Sequence, residues 1–241
     1  MLVKLENPAY LSKIVDIISE LVTEVRIKVN EFGMSITAID PANVAMIGFK
    51  LPKSAFSEFE AGSEVLGVNL DNFKKILKRC GAGGSLILEK KENQLEIRIY
   101  DKIKRTFSLN LIEVESEDKE MPSLEFSSRV EMLSNYFVEA VEDCAVVDDA
   151  CSFIVKEGKF IIEARSLNSA RSEFSGDEVK IEAEDCKARY SLEYLQKFIK
   201  GAKLCDRAIL NFANEHPLRL DFKAGHFELS FILAPRVETD N

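Results

Sequence analysis

One pattern occurs twice in this chain. Residues 70–78 read LDNFKKILK and residues 192–200 read LEYLQKFIK, an offset of 122 positions. Apolar residues stand at i, i+3, i+6 and i+7 in each: Leu70, Phe73, Ile76 and Leu77, then Leu192, Leu195, Phe198 and Ile199. That spacing predicts one buried face of a helix. A small-residue break follows each run, CGAGGS or GAKLCD, and then a strand-like triplet, 86–88 or 208–210. Leu95, Ile97 and Ile99 match Leu218, Leu220 and Phe222, and Phe107, Leu109 and Leu111 match Phe227, Leu229 and Phe231. A repeat over this length predicts two similar domains, 1–112 and 126–241.

Each half also opens with a helix. Asn7 is placed to cap, and Pro8 to occupy the first turn of, a helix running through Val22. Ser134 is placed to cap its counterpart, which carries Phe137, Val138, Val141 and Cys144. Residues 25–29 and 34–39 alternate as short strands do. The predicted class is α+β, each domain holding antiparallel sheets and two helices. Between the domains, 113–125 is expected to be a solvated connector, because the span 112–126 holds six acidic residues and one lysine. Met121, Leu124 and Phe126 interrupt its polarity, and either pin it to a domain or serve another purpose.

The chain ends on residues 227–241, FELSFILAPRVETDN. The alternation of Phe227, Leu229 and Phe231 breaks at Ile232, Leu233 and Ala234, and Pro235 can donate no ladder hydrogen bond. The pattern predicts a strand that runs off its sheet with apolar atoms near water, either covered or a docking patch.

Little in the chain suggests catalysis. CGAGGS follows a helix and has no Lys-Ser or Lys-Thr, so it reads as a helix stop and not a phosphate loop. His216 and His226 lie in no acid–base motif, and Asp148-Asp149 reads as a polar turn. Five cysteines (Cys80, Cys144, Cys151, Cys186, Cys205) form no CxxC pair, which predicts reduced thiols and disfavours zinc. No cofactor is expected. No apolar run approaches the ~20 residues of a membrane helix, and the N-terminal stretch has no signal-like apolar core, so an intracellular protein is expected.

The net charge of −9 argues against general nucleic-acid binding, yet the basic residues are unevenly placed. The second helix presents Lys74, Lys75, Lys78 and Arg79 opposite its apolar stripe, and the fourth presents Lys197, Lys200 and Lys203. The first helix adds Lys13, diluted by Asp16 and Glu20. Lysines without interleaved aromatic residues suit phosphate contact without base readout.

Taken together, these segments resemble the proliferating cell nuclear antigen (PCNA) family of sliding clamps, end to end. SITAIDPANVAMIGFKLP (35–52), LGVNLDNFKKILKR (66–79) and FILAPRVE (231–238) carry the resemblance, and the length and DPANVAM lean toward archaeal members. The resemblance implies a DNA-clamp fold, three chains forming a pseudo-sixfold ring with helices lining the hole, and no catalytic activity. It implies a cytoplasmic location if archaeal and a nuclear one if eukaryotic. An acidic exterior around a basic bore would reconcile the net charge with DNA. Lys13, Lys74, Lys75, Lys78, Arg79, Lys197, Lys200 and Lys203 would face duplex DNA. The third helix departs from this with Glu139, Glu142 and Asp143. The implied partners are duplex DNA, other clamp subunits, and DNA polymerase, clamp loader, flap endonuclease and ligase through PIP-box peptides. The implied partner pocket comprises Ile39, Val44, Met46, Met121, Phe126, Pro217, Ile232, Leu233, Ala234 and Pro235. Phe107, Leu109 and Leu111 would meet a strand of the next subunit carrying Arg171 and Glu173. A specialised subunit of a heterotrimeric clamp, and an enzyme built around His216 or a cysteine, remain as alternatives.

Overall fold

The computed structural model describes residues 1–81, 83–115 and 119–237. Ala82 of the first small-residue break, 116–118 of the predicted connector and Glu238 of the C-terminal signature lie outside the described residues. The chain divides into two compact units. Unit 1 holds 1–41, 47–121 and 225–228; unit 2 holds 42–46, 122–224 and the residues from 229 on.

In chain order the first half forms β1 (Leu2–Leu5), α1 (Ala9–Ile18), β2 (Glu24–Asn30), β3 (Gly33–Ile39), β4 (Ala45–Pro52), β5 (Glu58–Glu60), β6 (Glu64–Asn69), α2 (Leu70–Leu77), β7 (Ser85–Lys91), β8 (Gln94–Tyr100) and β9 (Lys104–Asn110). The second forms β10 (Ser128–Leu133), α3 (Ser134–Ala145), β11 (Ala150–Lys156), β12 (Lys159–Arg165), β13 (Ser169–Phe174), β14 (Lys180–Ala183), β15 (Cys186–Ser191), α4 (Leu192–Phe198), β16 (Arg207–Phe212), β17 (Leu218–Ala224) and β18 (Phe227–Leu233).

The two halves share one topology. Unit 1 has strand orders β5-β1-β7-β8-β9 and β4-β3-β2-β6; unit 2 has β14-β10-β16-β17-β18 and β13-β12-β11-β15. Position by position these are the same strands in repeat register. Each unit packs its helices in a pair, α1 against α2 and α3 against α4. The period-2 residues fill the cores: Leu95, Ile97 and Ile99, like Leu218, Leu220 and Phe222, are fully buried. In unit 2 Phe153 anchors an aromatic cluster, with ring centroids 5.1 Å from Tyr190, 5.8 Å from Phe160 and 6.0 Å from both Phe137 and Phe212.

Several local expectations are corrected. α1 ends at Ile18 and not at Val22, because the chain tightens there: the Leu21 and Val22 N–H groups both donate to the Ile18 carbonyl. Leu21 and Val22 are nonetheless buried, so the apolar period outlasts the helix. Ser134 is not a cap. It is the first residue of α3, its hydroxyl is buried without a partner among the described residues, and its N–H donates to the Asp206 carbonyl at 2.8 Å. The helix start is thus pinned by backbone and not by the side chain. Asn69, unremarked in the sequence, caps α2 by accepting from the Asn72 N–H at 3.1 Å. Leu111 lies beyond β9. Lys200 and Lys203 belong to a 3-10 turn that follows α4.

The end of β18 is also corrected. Leu233 is fully buried and Ile232 is 8% exposed, so they do not leave apolar atoms near water. The alternation breaks because both faces of the strand's end are covered; Ala234 and Pro235 alone in this segment are half-exposed.

Candidate nucleic-acid and partner interfaces

In unit 1 the predicted cations gather on the paired helices. Lys75, Lys78, Arg79 and, on α1, Lys13 are exposed. Asp16 lies between the helices, its carboxylate 3.0 Å from the Lys78 ammonium and 3.2 Å from that of Lys74. Lys74 also donates to the Ser19 hydroxyl at 3.0 Å. Partial burial pushes the Asp16 carboxyl up, but hydrogen bonds from Lys78 and Lys74 outweigh it and leave the group below its ordinary range. Lys74 is therefore turned into the helix pair more than outward. Nothing in sequence spacing links Asp16 to residues 74 and 78.

Unit 2 differs. α4 and the turn after it carry Lys197, Lys200 and Lys203, of which the latter two are exposed. Lys197 pairs with Glu193 at 3.0 Å and lies 5.1 Å from the Tyr194 ring centre. On α3, Glu139, Glu142 and Asp143 are exposed as the sequence suggests. Its helix pair is accordingly of mixed sign.

The two strands expected at a subunit contact both end their sheets, β9 in unit 1 and β13 in unit 2. On β9 Leu109 is buried and Phe107 half-buried. On β13 Arg171 reaches Glu163 and Glu173, each at 2.9 Å. The Asp101 carboxylate orders the turn into β9 by accepting from the Ile103 N–H and, at 2.8 Å, from the Arg105 guanidinium.

The pocket candidates fall in both units. In unit 2 the Ala234 N–H donates to the Val44 carbonyl at 2.9 Å. Phe126 meets the His216 ring edge-on with centroids 5.6 Å apart, next to Pro217. Met46 is half-exposed there, as is Ile39 in unit 1. Also in unit 1, Met121 of the connector lies against Gly48 of β4. At the connector's start the Ile112 N–H donates to the Gly67 carbonyl on β6 at 3.0 Å. Sequence reasoning missed both glycines; their place inside alternating strands is the signal for a close backbone approach.

The family model for the proliferating cell nuclear antigen N-terminal domain matches residues 1–120, and that for the C-terminal domain matches 120–237. The chain belongs to the PCNA family. DNA polymerase sliding clamps of Thermococcus sibiricus (39% identical over 239 residues, 93% of this chain and 94% of the relative) and Pyrococcus horikoshii (37% over 247, 97% of each) are among its relatives. A PCNA2–PCNA3 complex of Sulfolobus tokodaii contains a chain of 27% identity and TM-score 0.89, with 99% of this chain and 100% of that one covered. The PCNA of Entamoeba histolytica, 24% identical, shares the fold at TM-score 0.91 over 98% of each chain. The chain therefore functions as a DNA sliding clamp, in a family of non-catalytic scaffolds. Among the described residues, no helix is long and apolar enough to cross a membrane.

Proposed function

We propose that three copies of this chain close into a ring that encircles duplex DNA, tethers replication and repair enzymes, and has no catalytic activity of its own. The proposed domains are 1–112 and 126–241, joined by the connector 113–125, and the protein is proposed to work inside the cell. The mechanism is topological. A closed ring cannot leave duplex DNA sideways, so weak phosphate contacts from Lys13, Lys75, Lys78, Arg79, Lys200 and Lys203 suffice and permit sliding. The observation that carries the ring reading is the position of β9 and β13 at sheet edges, one in each unit. An unpaired edge is a template for another strand, and a head-to-tail contact between unlike edges generates rings when the rotation closes.

Light scattering of the purified protein tests this: a three-chain mass is expected. A monomer alone, assembling only with a second clamp chain, would replace the homotrimer with the heterotrimeric reading that the PCNA2–PCNA3 pair suggests.

Partner enzymes are proposed to dock through PIP-box peptides at the half-exposed apolar residues of unit 2, with Ala234 and Pro235 at the centre and Phe126 and Pro217 beside them. An anchor side chain entering such a patch is the usual logic of peptide hot spots. Calorimetric titration with a PIP-box peptide should show binding to the parent chain and none to an Ala234→Asp, Pro235→Ser variant that keeps its oligomeric mass. Equal affinity for both would place the site elsewhere.

A further inference from the structure

Unit 2 departs from the charge plan that the family resemblance implies. One face of its β13-β12-β11-β15 sheet packs on α3 and α4, with Phe153, Phe160 and Tyr190 fully buried. Strand alternation sends the other side chains to the opposite face. There stand six cations, Lys156, Lys159, Arg165, Arg171, Lys187 and Arg189, against two carboxylates, Glu163 and Glu173. The register sets them side by side: Ser152 lies opposite both Glu163 and Arg189, Ile154 opposite Ile161 and Lys187, and Lys156 opposite Lys159. Glu163 takes Arg165 at 3.1 Å and Arg171 at 2.9 Å, and Glu173 takes Arg171 and Lys159. Arg189 reaches Asp148 at 2.9 Å beyond the strand ends. The face still holds more cations than acids, in a chain whose net charge is −9. The expectation of an acidic exterior does not hold for this sheet.

We propose that this face is a second, sequence-independent contact for the phosphate backbone of duplex DNA, on the side of the unit opposite its helices. A hollow of about 130 Å³ lies in it, lined by Arg165, Lys187 and Arg189, by the Glu163 carboxylate that pairs with Arg165 and Arg171, and by Ala150, Ser152 and Ala164. Guanidinium forks match a phosphate's oxygens, and a serine hydroxyl adds a donor. Along β12, Lys159 and Arg165 are separated by about 20 Å, and four strands span about 14 Å across. An area of that size suits a charged polymer better than a single ion. A protein partner would need an apolar anchor, but Ile161 is only 5% exposed and Ile154 is half-buried. Single strands bind by stacking on aromatic rings, and no ring points outward from these four strands. Duplex backbone is what remains.

The test starts from the full chain carrying Lys13→Glu, Lys75→Glu, Lys78→Glu, Arg79→Glu, Lys200→Glu and Lys203→Glu, which removes the proposed helix contacts. Anisotropy of a labelled blunt duplex of about 20 base pairs, between about 50 and 200 mM salt, should still show weak binding. Adding Lys156→Glu, Lys159→Glu and Lys187→Glu should weaken it at least about tenfold and lower the log–log salt slope by about 0.9 per lysine. A photo-crosslinker at Ile154 should label the duplex at low salt only. Unchanged affinity, or crosslinking to a glutamate-rich peptide but not to the duplex, would overturn the proposal. Because the face lies in one unit of one chain, the readout survives even if no ring forms, so its failure is separable from failure of the clamp reading.

Discussion

Met121 occupies the space that a side chain on Gly48 would need: a Cβ there would stand 2.8 Å from the Met121 Cγ and 3.0 Å from its Sδ. The connector is thus held against β4 by a glycine and a flexible thioether side chain. Gly67 has a stiffer neighbour, since a Cβ there would fall 1.9 Å from the Ile112 carbonyl oxygen. A thioether can swing aside, whereas backbone that is hydrogen-bonded to the same strand cannot.

Gly67→Ala should therefore destabilise the protein more than Gly48→Ala. Overpacking of a well-filled site costs about 1–3 kcal/mol, and Gly67→Ala should reach at least the upper end because the hydrogen bond from Ile112 is lost too. Urea denaturation midpoints measure both. A larger loss for Gly48→Ala would show that Met121, and not the Ile112 backbone, is the rigid neighbour.

Asp16→Asn should release Lys74 and Lys78. The Asp16 and Lys78 side chains are 45% and 55% exposed, so the stability lost should stay below about 1 kcal/mol. Affinity for duplex DNA should rise, and the log–log salt slope should steepen by about 0.9 for each lysine released. A variant with unchanged DNA affinity would mean that the α1–α2 pair does not face the phosphates.

The edge of β9 can be tested with proline. The Leu111 N–H donates inward to the Asn93 carbonyl at 2.9 Å, so by alternation the N–H of Leu109 also points toward β8, while that of Ser108 points to the open edge. Ser108→Pro should leave the folded chain intact and yield monomers by light scattering. Leu109→Pro should instead lower the melting temperature. A trimer that survives Ser108→Pro would exclude this edge as the subunit contact.

Acid should loosen the turn into β9. The Ile103 N–H first, then the Arg105 guanidinium, hold the Asp101 carboxyl down at about 2. Because its folded value is depressed, its contribution is fully present above the ordinary carboxylate value near about 3.9 and is lost as pH falls toward about 2. Thermal melts of the parent and of Asp101→Asn should differ at neutral pH and converge at about pH 2. A constant difference across that window would show that Asp101 is not the titrating group.

Much of this molecule follows from local pattern. The duplicated helix spacing, the period-2 strands and the basic residues of α2 depend on side-chain order along one segment, and so the repeat, the α+β class and the family resemblance were legible in the chain. Other features were settled by residues far apart in sequence. Asp16 meets Lys74 and Lys78 only because α1 packs on α2. The end of α1 was set by the Ile18 carbonyl, and its start holds Pro8 and not Asn7 at the cap position with no side-chain cap bond. The start of α3 is pinned by the Asp206 carbonyl and not by a Ser134 cap. The burial of Leu233 and Ile232 and the basic face spread over β11, β12, β13 and β15 depend on which strands lie side by side. Periodicity shows which residues share a face of one element; only the tertiary structure decides what that face meets, because strand register and helix pairing are long-range choices made by packing.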